Sequence, residues 1–185
     1  MLFKKQSESE IERVYIQKFV EWTIKNFLNK PGHLLDVGCR EGYYADAFEQ
    51  HGFTTERIDL ILGTDLNKTR MRYKNKFDYI YARSLIEFLN KPIDFAKDCF
   101  SALKKGGKIF VLTPNWKTQY KWFYENYTRV SPFTLRSLRM LMEDAGFKTE
   151  YTNEHSERRW LWRYWMGAFH KKKGGKYLVY VGAKL

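Results

Sequence analysis

The stretch His33-Leu34-Leu35-Asp36-Val37-Gly38-Cys39-Arg40-Glu41-Gly42-Tyr43-Tyr44 decides how the rest of the chain is read. Leu34, Leu35 and Val37 make a short apolar run, the signature of a buried strand. The run ends in a turn holding Gly38 and Gly42, and from Tyr43 the pattern becomes helical. Glycine at these places lets the backbone turn tightly and approach a ligand where a Cβ would collide. Asp36 stands at the mouth of the turn, where a carboxylate can meet a cationic ligand group. A dinucleotide fingerprint needs Gly-x-Gly-x-x-Gly. Gly38-Cys39-Arg40-Glu41-Gly42 lacks that spacing, which disfavours a nicotinamide oxidoreductase. A purely structural strand-to-helix turn is the plainer alternative, so the flanking sequence has to decide.

Downstream, residues 43–50 predict a helix stopped near Gly52, and residues 54–60 a second strand carrying Asp59, 23 positions after Asp36. A carboxylate at the end of a second strand can accept from both hydroxyls of a ribose. Residues 61–66 then offer another strand with Asp65 near its end. Two registers are open. In the preferred one Asp59 holds ribose and Asp65 meets an adenine amino group, which uses both acids. In the other, residues 60–64 are themselves strand two and Asp65 holds ribose. Against both stands an exposed loop carboxylate with no ligand.

Residues 9–28 have helical spacing, and Pro31-Gly32 ends that helix. Residues 68–76 are a basic connection and 77–82 a strand. A helix is predicted from Pro92, with Lys104 and Lys105 at its end suiting the helix dipole and Gly106-Gly107 terminating it. Residues 108–112 form the next strand, followed by Thr113-Pro114-Asn115. Ser131-Pro132 reads as N-cap and first residue of another helix, ended by Gly146, before strands at 147–152 and 177–183.

The turn resembles the Asp-x-Gly-x-Gly-x-Gly loop of class I S-adenosylmethionine-dependent methyltransferases, with Arg40 in place of the middle glycine. The ordered set Phe77-Asp78-Tyr79-Ile80, Leu85-Ile86-Glu87, Leu103-Lys104-Lys105-Gly106-Gly107 and Thr113-Pro114-Asn115 is similar to the small members of that family, closest in kind to the quinone-biosynthesis and related O-/N-methyltransferases. Thr134-Leu135, Leu138 and Ala145-Gly146-Phe147 extend the likeness. Phe88 stands where such sequences often carry histidine after the glutamate, so no role for that histidine transfers. The resemblance implies an α/β, three-layer Rossmann-like fold and a mostly parallel seven-stranded sheet with its last strand antiparallel; this chain departs from it in the region after strand two, where the helix that normally precedes strand three is nearly absent. It implies S-adenosylmethionine as cofactor and S-adenosylhomocysteine as product. Asp36, Gly38, Cys39, Arg40 and Gly42 would meet the methionine portion; Asp59 and Leu60 the ribose and adenine; Asp65 and Leu66 the adenine edge; Arg83, Ser84 and Leu85 the sulfonium end and the other adenine face. No catalytic base and no metal ligand is assigned, since His33, His51, His155 and His170 are scattered.

A chain of 185 residues fits one domain, residues 1–185. With 29% charged residues, no apolar run approaches the roughly 18 residues of a membrane span. The N-terminal residues lack the apolar centre of a signal peptide, and two cysteines make no disulfide framework. These features read as a soluble, cytoplasmic protein. The net charge of +12 allows attraction to nucleic acid, anionic lipid or acidic substrates, or is simply a solvated basic surface. Residues 117–130 and 153–176 read as basic-aromatic insertions near the substrate side, the second including Trp160, Trp162, Trp165 and Lys171-Lys172-Lys173. They suit nucleobase stacking with phosphate contacts, a membrane-surface helix, or a wall over a small acceptor. A small-molecule, lipid-like or glycan acceptor is favoured over nucleic acid. A binding protein that kept the fold without turnover is a further reading, supported by Arg40 and the shortened 60–76 region.

Overall fold

The computed structural model describes residues 2–156 and 176–185, with side chains from Glu12 onward. In chain order the elements are α1 (Leu2–Phe27), β1 (His33–Val37), α2 (Tyr43–Gln50), β2 (Thr54–Ile58), a 3-10 turn (Leu60–Leu62), β3 (Phe77–Arg83), a second 3-10 turn (Ile86–Phe88), α3 (Pro92–Ala102), β4 (Leu103–Pro114), α4 (Trp116–Phe123), α5 (Leu135–Asp144), β5 (Lys148–His155) and β6 (Tyr177–Ala183).

The strands form one sheet in the order β2-β1-β3-β4-β6-β5. β1 pairs in parallel with β2 and β3, and β3 with β4, while β6 runs antiparallel to both β4 and β5. The central strands are apolar on both sides because helices cover both faces. On one face Leu34, Tyr81 and Phe110 pack against Phe19 and Val20 of α1 and Phe48 of α2. On the other, Leu35, Ile80 and Val111 pack against Phe95 and Cys99 of α3 and Leu138 and Met142 of α5. The architecture is therefore the three-layer α/β one, with a mostly parallel sheet and a last antiparallel strand. The described residues hold six strands rather than seven.

The missing strand belongs to the 59–76 segment. Residues 61–66, expected as a strand, instead continue from a 3-10 turn: the Asp59 side chain accepts the Ile61 N–H, and Gly63 stops the turn at φ 88°. The alternative register with residues 60–64 as strand two falls with it, since β2 ends at Ile58 and Asp59 follows directly. The rest of the segment is tied to α3, with the N–H groups of Asn75 and Lys76 donating to the carbonyls of Ser101 and Ala102. Arg70 bonds Asp98 at 2.6 Å and the buried Met71 joins the core.

Several boundaries also shift, and for two helix ends the structure gives the cause. α3 stops at Ala102, because Leu103 is already extended and pairs with Phe77 across the sheet. Lys104 therefore does not serve the helix end; it reaches the Asp78 carboxylate at 3.0 Å. α5 starts after Thr134, not at Ser131-Pro132. Thr134 and Ser137 form a reciprocal capping box, while the Ser131 hydroxyl donates to the Leu89 carbonyl. The basic-aromatic insertion at 117–130 is mostly α4 and its following loop. Of the second, residues 153–155 belong to β5; residues 157–175, with all three tryptophans and the lysine run, lie outside the described residues.

Candidate active site

Chain direction locates the site. After β1 the chain passes to β2 on one side, whereas β3 pairs on the other. Open α/β sheets bind ligands at such a divergence, beyond the carboxyl ends of the strands. The Gly38–Gly42 turn occupies that point. Gly38, Arg40 and Gly42 have φ 75°, 48° and 83°, so three residues of the turn are left-handed. Arg40 takes this conformation despite its Cβ, which costs roughly 1–2 kcal/mol that glycine would not. The turn is held by Gly42 N–H to the Cys39 carbonyl and Gly38 N–H to the Ile58 carbonyl, both 2.8 Å. A Cβ on Gly38 would lie 3.1 Å from Leu85, and one on Gly42 only 2.8 Å from Arg57 Nη1. Leu85, beyond the end of β3, thus closes one wall against the turn. The Cys39 thiol is buried, which pushes its pKa up to about 11.

Asp36 lies beneath the turn rather than at its mouth. It is 2% exposed, and its Oδ2 has no hydrogen-bond partner among the described residues. Burial drives its pKa up to about 7, opposed by the Arg57 charge and by the Ala45 N–H in the first turn of α2. Across the sheet it pairs with Tyr81, whose buried hydroxyl also has no hydrogen-bond partner among the described residues. Asp59 is the better placed acid. Its Oδ2 accepts the Arg40 N–H at 2.8 Å and its Oδ1 the Ile61 N–H at 3.0 Å, tying the end of β2 to the glycine turn. A carboxylate has about four acceptor sites, so each oxygen keeps one for a ligand hydroxyl. Leu60 is exposed beside it. Asp65 accepts the Asn67 N–H at 3.0 Å and approaches Lys68 at 3.3 Å. Asn67 donates to the Phe88 carbonyl at 3.0 Å, which holds this turn near the end of β3. Leu66 packs on the core and lines a cavity of about 280 Å³ with Lys68, Arg70 and Lys91.

At the ends of β3 and β4, the Arg83 guanidinium lies 4.8 Å from the Tyr44 ring centre, and Tyr44 stacks on Tyr81. Ser84 is left-handed at φ 49°, its N–H donating to the Leu112 carbonyl at 2.7 Å. Glu87 is fully buried, with Oε2 accepting the Thr113 hydroxyl at 3.0 Å and Oε1 without a hydrogen-bond partner among the described residues. Burial raises its pKa to about 7, the Thr113 bond and the Arg129 charge opposing. Its carbonyl accepts the N–H groups of Val130 and Ser131, so this residue anchors the loop after α4.

Residues 9–152 match the protein family described as "Methyltransferase domain". The chain belongs to the class I S-adenosylmethionine-dependent methyltransferases. Over 105 residues it is 28% identical to a ubiquinone biosynthesis O-methyltransferase of Coxiella burnetii, the match covering 46% of this chain and 45% of that protein. The chain therefore spans about half the length of the curated relatives it matches. A methyltransferase from Archaeoglobus fulgidus superposes with TM-score 0.68 at 17% identity, over 93% of this chain and 94% of that one. The Burkholderia thailandensis 1,6-didemethyltoxoflavin-N1-methyltransferase, solved with S-adenosylhomocysteine, gives TM-score 0.68 at 13% identity over 98% and 83%. These structures share the fold.

The methyltransferase cofactor, S-adenosylmethionine, fits the residues present. Gly38 makes a cradle that a Cβ would crowd, Asp59 keeps free acceptor sites, and the buried Asp36 Oδ2 has no hydrogen-bond partner among the described residues. Sequence reasoning missed Arg57, which binds Asp46 and Glu49 at 2.7 and 2.9 Å and packs under Gly42. A lone arginine in the short strand Thr54–Ile58, opposite acids spaced three apart on α2, was the available signal. It missed Tyr44 and Tyr81 too, because their stacking follows from register rather than from any motif.

Proposed function

We propose that this methyltransferase moves a methyl group from S-adenosylmethionine to an O or N nucleophile of a small or lipid-like acceptor, with residues 1–185 working as one domain. When bound, the cofactor supplies a methyl group activated on a sulfonium, which departs as a neutral thioether. The chain supplies binding and alignment, and orientation alone is worth about 7–11 kcal/mol when the geometry is productive. Gly38, Cys39, Arg40 and Gly42 present backbone to the methionine portion, and Asp36 offers a negative charge beneath it. Asp59 accepts ribose hydroxyls, Leu60 and Leu85 offer apolar faces to the adenine, and Asp65 with Leu66 borders its edge. Arg83 and Ser84 line the reacting end. Glu87 is a positioning residue, since its carboxylate is buried against Thr113.

The observation that carries this reading is the left-handed turn closed onto Asp59 through the Arg40 N–H. The name of the Coxiella relative supports an oxygen nucleophile on a small acceptor, and that of the Burkholderia enzyme a nitrogen one. Calorimetry should show S-adenosylhomocysteine binding at least a hundredfold weaker in Asp59→Ala, since hydrogen bonds to a charged group are worth about 1.5–3 kcal/mol each. Equal affinity in both proteins would end the assignment. Labelled S-adenosylmethionine incubated with cell extract then identifies the acceptor.

A further inference from the structure

Two groups of apolar side chains stand out in water on the edge of the sheet that carries the candidate site. After β2, Ile61 and Leu62 are 66% and 57% exposed in a turn whose backbone, not side chains, is tied to Asp59. After β4, Tyr120, Trp122 and Tyr127 project from α4 and its loop, between 53% and 89% exposed, while Phe123 on the same helix is buried. β2 and β4 run in the same direction with two strands between them, which sets their axes about 15 Å apart, so the two groups follow strand ends on either side of the divergence point. Exposed cations, Lys117 and Lys121, share α4 with the aromatics, and the Arg40 side chain is 81% exposed on the turn between the groups.

We propose that this edge is a docking surface for an anionic lipid bilayer, with Ile61 and Leu62 on one side of the site and the α4 aromatics on the other inserted at the headgroup level. Aliphatic chains that gain nothing from water enter an acyl boundary, tyrosine and tryptophan settle at the interface, and lysines meet lipid phosphates. The net charge of +12 has the sign such a surface requires. A nucleic-acid partner would use the aromatics and lysines but leaves Ile61 and Leu62 without a role, because phosphate and sugar dominate that contact. The placement rests on the reading of the strand ends as the active site, and under it the acceptor is an amphiphile presented at the membrane surface.

The test is co-sedimentation of the full chain with vesicles of equimolar phosphatidylcholine and phosphatidylglycerol, compared with phosphatidylcholine alone. Binding is expected to the anionic vesicles, weakened by salt, and weakened roughly tenfold each by Ile61→Ser/Leu62→Ser and by Trp122→Ser/Tyr127→Ser. Circular dichroism certifies that each variant is folded, and Lys117→Glu/Lys121→Glu gives an independent arm through charge alone. Absent binding, or binding indifferent to all three variants, overturns the proposal. So does retention on RNA lost in the same variants, or a concentration-dependent dimer that they dissolve without any vesicle binding. Calorimetry with S-adenosylhomocysteine is run in parallel: vesicle binding without cofactor binding would refute the active-site reading while leaving the docking surface standing.

Discussion

Replacing Asp36 by asparagine separates what this buried acid costs the fold from what it does for the cofactor. In the folded protein its pKa is raised from 3.8 to about 7, chiefly because burial leaves the charge poorly solvated. A tenfold change in that equilibrium is about 1.4 kcal/mol, so ionising Asp36 in place costs about 4 kcal/mol. A raised folded-state pKa means that folded protein keeps a proton which unfolded chain has released. Its stabilising effect is whole below about pH 4 and lost as pH rises through about 7. Asparagine has the shape and the acceptor for the Ala45 N–H but no charge to desolvate. Asp36→Asn should therefore match the parent within about 1 kcal/mol at pH 4 and exceed it by up to about 4 kcal/mol at pH 8. Glu87 titrates in both proteins, so the difference between them isolates Asp36. Urea unfolding followed by circular dichroism across that range measures it, and a difference independent of pH would refute the reasoning.

The same charge has the opposite sign for binding. A cationic ammonium near Asp36 favours the carboxylate and so opposes its protonation. Affinity for S-adenosylhomocysteine should rise with pH up to about 7, close to tenfold for each pH step below it, then level off. In Asp36→Asn that dependence disappears and affinity at pH 8 drops. A residue that destabilises the apo fold and improves cofactor binding is the trade expected at a functional site. If affinity in the parent is flat from pH 5 to 8, Asp36 does not face the ammonium.

Four further substitutions test the local geometry. Arg40→Gly relieves a left-handed residue whose side chain is 81% exposed, and should raise unfolding stability by up to about 1 kcal/mol in urea titrations; a loss would mean the arginine side chain contributes more than its strain costs. Gly38→Ala adds both strain at φ 75° and a Cβ 3.1 Å from Leu85, whereas Gly106→Ala adds strain alone at φ 77° with nothing within 4 Å. The first should cost about 1–2 kcal/mol more than the second and weaken S-adenosylhomocysteine binding, which the second leaves intact. Thr113→Val removes the donor to Glu87 Oε2, and should cost about 1–3 kcal/mol in unfolding experiments, more at pH 8 than at pH 5 as Glu87 ionises through about 7.

How much of this was legible in the sequence follows from the range of each interaction. β1, α2 and β6 were readable to within a residue: glycine or proline bounds the first two on both sides, and the third is a continuous apolar run after a glycine pair. The start of α5 was not: Ser131-Pro132 carries the better local signal, but Ser131 is used by the carbonyls of Glu87 and Leu89, more than forty positions away. The end of α3 was lost for the same reason, since pairing of Leu103 with Phe77 outweighs two helix-friendly lysines. The place of Asp59 at the end of β2 was legible from its spacing after Asp36, whereas the depth of Asp36 was not, because burial is decided by α1 and α2 packing over β1.

Arg40 shows how a departure from a motif is absorbed. The motif that the turn resembles has glycine there, the residue that enters the left-handed region most freely, and Arg40 occupies that region at φ 48° with a side chain that is 81% exposed. What holds it is the Asp59 carboxylate, which accepts the Arg40 N–H from the end of the neighbouring strand. A charge-assisted bond of this kind is worth about 1.5–3 kcal/mol, enough to offset the roughly 1–2 kcal/mol of the left-handed arginine. The acid proposed for the ribose therefore also shapes the loop proposed for the methionine portion. That coupling makes Asp59→Ala more damaging than the loss of ribose contacts alone, and restoring glycine at position 40 in that background should recover part of the stability without recovering the ribose acceptors.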